Sequence, residues 1–226
     1  MPRAKKLVAF TLYPGVTPLD LVGPLTVLRP VGPGWPFRTV VVGERLEAVG
    51  TDGPLGITPA ATFRDAPAPA ALIVPGGGAA TLAALRDEAL LAYVRAAAAG
   101  AELVGATGNG ALVLAAAGLL DGRRAAIHLA YADLLAGLGA EPAREHWMHD
   151  GRFLTAAGGS AGIDAMLYLV SRHRGRSGAA LAQLATEYDP EPPFGGLDRS
   201  GADDALAEML RAPRPQEAAA GPAGRR

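Results

Sequence analysis

Few side chains in this 226-residue chain have both the type and the setting for chemistry. Asp20 stands in Thr17-Pro18-Leu19-Asp20-Leu21, just beyond an apolar run that ends at Tyr13. The spacing reads first as a helix start, with Thr17 at the N-cap, Pro18 at the first helical position and an acid three residues after the cap. The same carboxyl has a second reading. Flanked by Leu19 and Leu21 near the mouth of a sheet, it would be partly desolvated, which favours the protonated form that general acid/base work needs.

A second candidate region is the glycine-rich turn Gly105-Ala106-Thr107-Gly108-Asn109-Gly110. Its glycines invite a dinucleotide reading, but Val113 stands where the third glycine of the fingerprint would fall, and the first strand-to-helix turn reads Tyr-Pro-Gly-Val. Read instead as a nucleophile elbow, the turn would aim one side chain into a pocket beside amides that stabilise an oxyanion. No Ser or Cys occupies it: Thr107 lies one residue early, and Gly108 has no side chain. Pro75-Gly76-Gly77-Gly78 follows an apolar run, so its backbone amides either converge on a developing negative charge or merely form a flexible loop.

Of the four histidines, His128 lies in the apolar run Ala-Ala-Ile-His-Leu-Ala and is either a site residue or a hydrogen-bonded structural one. His146 and His149 are three apart in an expected strand and face opposite ways, a poor metal pair; His173 lies between two arginines near a helix end, where positive charge complements the dipole. The chain has no cysteine, which excludes a disulfide framework, a thiolate zinc site and a cysteine nucleophile. No metal site or cofactor is expected.

These residues need strands and helices to place them. Apolar, β-branched runs predict strands over 7–13, 37–43, 71–74, 102–106 and 125–128, with a small edge pair at 46–49 and 56–59. A hairpin over 144–149 and 152–157 is expected to turn at Asp150-Gly151. Helical spacing predicts helices over 19–28, 81–99 (stopped by Gly100), 111–117, 131–138, 162–174, 177–186 and 202–211, and 212–226 reads as a disordered tail. Strands alternating with helices imply an α/β sandwich around a mainly parallel sheet, as one domain over 1–211. With 21 Lys and Arg against 22 Asp and Glu, the chain offers no electrostatic reason to bind nucleic acid or an anionic membrane. The apolar run near the N-terminus is too short for a signal segment or a membrane span, so a cytoplasmic protein is expected.

Several segments fall in a specific order: Leu12-Tyr13-Pro14, Leu19-Asp20-Leu21-Val22-Gly23-Pro24, Val74-Pro75-Gly76-Gly77 and Ala111-Leu112-Val113-Leu114. They are followed by Ala116 to Gly122, Ala125-Ala126-Ile127-His128, Asp150-Gly151, Thr155 with Gly158-Gly159, Ala161-Gly162-Ile163-Asp164, and Glu187-Tyr188 with Pro192-Pro193-Phe194. Together they resemble the DJ-1/PfpI superfamily, most closely its isonitrile hydratase branch. The resemblance implies a flavodoxin-like α/β sandwich, a homodimer, and a cofactor-free pocket at the elbow for a small substrate. In that branch an elbow cysteine attacks the isonitrile carbon beside an aspartate. Aligned here, Gly108 takes the cysteine position, Asn109 that of a usual threonine, and Asp20 matches the aspartate.

The expectation is therefore a cysteine-independent lyase-type enzyme, a hydratase or cyclase, acting on a small and largely neutral molecule of the kind found in natural-product metabolism. Asp20 would move protons, assisted by His128. Asn109, Thr107, Gly108 and the amides of Gly76, Gly77 and Gly78 would hold a polar group, with room gained where the thiol is missing. Two rivals remain: a non-catalytic binding or sensor domain, as in AraC-type regulators, and an isonitrile hydratase stripped of its nucleophile.

Overall fold

The computed structural model describes residues 4–193 and Gly195. In chain order the elements are β1 (Lys6–Thr11), α1 (Pro18–Val27), β2 (Phe37–Gly43), β3 (Val49–Gly50), β4 (Gly56–Ile57), β5 (Ala61–Thr62), β6 (Ala71–Val74), α2 (Ala80–Ala84), α3 (Glu88–Gly100), β7 (Leu103–Thr107) and α4 (Gly110–Ala116). They continue through β8 (Arg124–Ala126), α5 (Ala132–Gly137), β9 (Glu141–Ala143), β10 (Trp147–Asp150), β11 (Phe153–Ala156) and α6 (Gly159–Ala185). Short 3₁₀ turns occupy Phe63–Asp65 and Leu129–Tyr131. The expected helix over 202–211 and the tail over 212–226 lie outside the described residues.

Seven strands form the main sheet in the order β10-β11-β7-β6-β1-β2-β5, and every pairing is parallel except the β10–β11 hairpin. The expected sandwich is present. Both faces of the sheet are covered, as a parallel sheet requires. One apolar cluster joins Leu72, Val74 and Val104 to α3 and α4 through Leu90, Val94 and Leu112, and the other joins Phe10, Ile73 and Leu154 to α1 and α6 through Leu21, Met166 and Leu169. Strands β2 and β6 fall on the residues expected for them, because β-branched runs bounded by glycine or proline leave little choice of register.

Two local expectations fail. The helix expected over 81–99 breaks after Ala84, because the Asp87 side chain accepts from the Leu90 amide (3.0 Å) and starts α3 anew. Nor does Gly100 stop α3 from outside: it is the last helical residue, and Ala101 turns extended (φ −73°, ψ 135°). The two helices expected over 162–174 and 177–186 are both present within the span α6, divided by a non-helical residue at Gly175 (φ 69°, ψ 178°). Strands β5 and β9 escaped the sequence reading, being two and three residues long.

The consequence for function lies at the C-terminal ends of β1, β6 and β7. The chain leaves β1 for α1, β6 for the Pro75–Gly78 loop, and β7 for the Gly108–Asn109 turn. In an open parallel sheet these neighbouring exits form the crevice where ligands bind.

Candidate active site

A cavity of about 220 Å³ opens at this crevice, lined by Thr17, Asp20, Gly78, Gly108, Asn109, His128, Tyr131, Gly158 and Gly159. Asp20 is only 7% exposed, although it stands in the first turn of a helix. Thr17 is the N-cap by position, yet its side chain makes no cap bond. Its hydroxyl donates instead to Asp52 Oδ2 (2.6 Å), and its amide donates to the Gly76 carbonyl (2.8 Å). The reciprocal cap expected of Thr17 and Asp20 is thereby blocked at both groups, and the Asp20 carboxyl accepts hydrogen bonds from the amides of Gly76 and Gly159.

Close backbone approach makes this possible. At Gly159 a Cβ would lie 2.6 Å from the Leu19 backbone, so only glycine lets the start of α6 reach α1 and present its amide. Burial raises the Asp20 carboxyl from its usual 3.8 to about 7; the Gly76 hydrogen bond opposes this, the nearby Asp52 charge adds to it, and the Gly159 bond opposes it again. Desolvation dominates, so near neutrality both acid and base forms are populated. Among the described residues, no Lys or Arg lines the cavity.

Gly108 has φ +56°, the left-handed conformation of an elbow residue. A Cβ built there would fall 2.0 Å from Asp20 Oδ2. This corrects the expectation that a missing thiol leaves extra room: the aspartate carboxyl crowds the position of the first side-chain atom.

The other expected site residues divide between cavity and scaffold. Asn109 Oδ1 accepts from the Gly77 amide (2.9 Å) and the Thr81 hydroxyl (3.0 Å), while its Nδ2 donates to the Gly78 carbonyl (2.6 Å). It straps the Pro75–Gly78 loop to α4, and Tyr13 extends the strap by donating to the Pro75 carbonyl (2.7 Å). The amides of Gly76 and Gly77 therefore serve Asp20 and Asn109 in this state. Thr107 does not line the cavity; it is 1% exposed, and its hydroxyl donates to the Asp20 carbonyl (2.8 Å), tying α1 to β7. Gly78, Gly108, Asn109 and His128 do line the cavity. His128 Nδ1 accepts from the Ala130 amide (3.3 Å), so a neutral ring carries its proton on Nε2.

Sequence reasoning missed Asp52 and Tyr131, and it placed Gly158 and Gly159 in the family pattern without assigning them to the site. Asp52 lies 35 residues from Thr17 along the chain, and no local spacing reveals that pairing. The remaining histidines stay away from the cavity: His149 Nδ1 is 3.3 Å from the Tyr168 hydroxyl, and His173 packs edge-on to Phe37. Among the described residues, no three His, Cys, Asp or Glu side chains come together as a metal site, and no helix is long and apolar enough to cross a membrane.

The DJ-1/PfpI family pattern matches residues 6–172. The chain belongs to the DJ-1/PfpI family. It is 39% identical to an isonitrile hydratase from Pseudomonas putida over 205 residues, which is 90% of this chain and 88% of that protein. A ThiJ/PfpI family protein from Pseudomonas syringae superposes with a TM-score of 0.83 at 35% identity, covering 92% of this chain and 85% of the other. An AraC family transcriptional regulator from Pseudomonas putida shares the fold at 23% identity and a TM-score of 0.65, covering 80% of this chain and 98% of that one.

Proposed function

We propose that this DJ-1/PfpI protein is a cysteine-independent hydratase in which Asp20 is both general acid and general base. The observation that carries the reading is a single carboxyl, buried, raised to about 7 and set against the side-chain-free elbow residue Gly108. Similarity to isonitrile hydratase over nine-tenths of the chain supports a small molecule with a polarised multiple bond, of which an isonitrile is the first to test. The volume of about 220 Å³ is below the roughly 300–1,000 Å³ usual for drug-sized ligands, which favours water as the nucleophile over closure of a long substrate on itself. With no Lys or Arg among the described residues of the wall, a neutral substrate suits the cavity better than a carboxylate.

For an isonitrile the chemistry balances without a thiol. Protonated Asp20 gives its proton to the terminal carbon, leaving a nitrilium-like centre; water then adds to that carbon while the carboxylate takes a proton from it. The resulting imidic acid rearranges to the N-substituted formamide. Acid/base catalysis of this kind contributes about 10²- to 10⁴-fold, and orientation in the cavity adds to it. His128 and Tyr131 would steer the substrate. The protein is expected to work as a homodimer without a cofactor.

The test is to assay small neutral isonitriles for formamide production with the parent and Asp20→Asn. A drop of about 10²- to 10⁴-fold in kcat/KM supports the role. Undiminished turnover in the variant overturns it, and binding without turnover by the parent would favour the sensor reading that the AraC-type fold relative offers.

A further inference from the structure

Asp52 is the other buried carboxylate near the cavity, 3% exposed in a turn whose next residues Pro54, Leu55 and Gly56 face solvent. An acid in such a turn would ordinarily point outward, because hydration is lost on burial. Here it is pinned inward. The Asp52 amide donates to the Val16 carbonyl (3.2 Å), the Gly15 amide donates to the Gly50 carbonyl (2.8 Å), and Val16 pairs with Thr51 as an isolated parallel bridge. The β3–β4 hairpin is thus stapled to Gly15–Thr17, the segment that leads directly into Asp20. The Thr17 hydroxyl completes the staple at 2.6 Å from Asp52 Oδ2.

From this arrangement we infer that Asp52 is a positioning residue: it draws the Thr17 hydroxyl away from capping α1 and sets a second negative charge behind the cavity wall, so that Asp20 faces the cavity and holds its proton. The inference rests on Asp20 being the working acid/base, but its test does not need turnover.

The groups around Asp20 can be placed element by element. Asp52 comes from the β3–β4 turn, Tyr13 from the end of β1, His128 and Tyr131 from the turn before α5, and Asn109 from the start of α4. The start of α6 contributes Gly158 and Gly159, and the Pro75–Gly78 loop contributes the Gly76 amide. Among the described residues no Lys or Arg belongs to this lining, so among these groups Asp52 is the charge whose removal should be felt. A like charge favours the neutral form of its neighbour. Deleting it must move Asp20 toward ionisation at lower pH.

The experiment is a ¹³C NMR titration of the Asp20 carboxyl in full-length parent and Asp52→Asn, with assignment by Asp20→Asn. Asparagine keeps an oxygen for the Thr17 hydroxyl and removes only the charge. The expected result is an Asp20 midpoint lower by about one pH unit in a variant whose near-ultraviolet circular dichroism is unchanged. If Asp52→Asn does not fold, Asp52→Ser keeps a hydroxyl in the turn and should shift the midpoint in the same direction. A folded variant of either kind with the parental midpoint overturns the proposal. Failure of the hydratase reading would look different: Asp20 would still respond to Asp52, while Asp20→Asn left turnover intact.

Discussion

The segments Thr17-Pro-Leu-Asp20 and Thr62-Phe-Arg-Asp65 carry the same Thr-x-x-Asp spacing and meet opposite fates. At the second, the Thr62 amide and hydroxyl both donate to Asp65 Oδ2 at 2.7 Å, in a capping box exposed to solvent. Those Thr62 bonds hold the Asp65 carboxyl below its usual range. At the first, the Thr17 amide belongs to the Gly76 carbonyl and its hydroxyl to Asp52, so Asp20 has no cap to join. It turns into a buried crevice and its carboxyl rises to about 7. Local spacing offers an acid a partner; tertiary contacts decide whether that partner is available.

The largest expected contrast between the two acids is in catalysis. Asp20→Asn should lower kcat/KM by about 10²- to 10⁴-fold, whereas Asp65→Asn should leave it unchanged in the same formamide assay. Equal effects from both would erase the distinction.

A second contrast is the sign of their pH dependence. Because Asp20 is raised from 3.8 to about 7 on folding, the unfolded chain ionises first, and the parent should lose stability as pH rises across that window. The loss, read as the parent's change relative to Asp20→Asn in urea unfolding at pH 4 and pH 8, should approach about 4 kcal/mol. Asp65 is lowered, so its contribution runs the other way, present above the ordinary carboxylate range and fading as acid is added. Being exposed, it should give only a small change in melting temperature.

A cysteine at the elbow would bring the comparison into the cavity itself. Gly108→Cys places a Cβ 2.0 Å from Asp20 Oδ2, at a φ of +56°. It should destabilise the fold by about 1–3 kcal/mol unless Asp20 moves. Robust formamide production by this variant, exceeding the parent, would point instead to a thiol site that had merely lost its nucleophile. The smallest expected effect is at Asp87, which spends its carboxyl on an ordinary cap: Asp87→Ala should cost about 1 kcal/mol in urea unfolding and nothing in turnover.

Much of the frame was legible before any coordinates. The runs Phe37–Gly43 and Ala71–Val74 form strands on the expected residues, and the expected hairpin is present with its turn one residue later than expected, at Gly151-Arg152, because Asp150 still pairs with Phe153. The helix broken at Asp87 was not legible, since its apolar periodicity runs straight through the cap. Asp20 was identified as a candidate, but Thr17 and Pro18 favoured a cap, and the groups that veto that cap, Asp52 and Gly76, are 35 and 59 residues from Thr17. Asn109 and Thr107 were expected to hold a polar group; Thr107 is instead buried against the Asp20 carbonyl and does not line the cavity, whereas Asn109 does line it while its side chain also holds the Pro75–Gly78 loop. Side-chain identity marks where a site lies, and long-range partners assign its parts.

The most direct test is a ¹³C titration of the Asp20 carboxyl in the unmodified protein between pH 3 and pH 9. A midpoint near 7 agrees with a buried acid held for proton transfer. A midpoint near 3.8 would place Asp20 in water or in a cap, and would contradict the acid/base account.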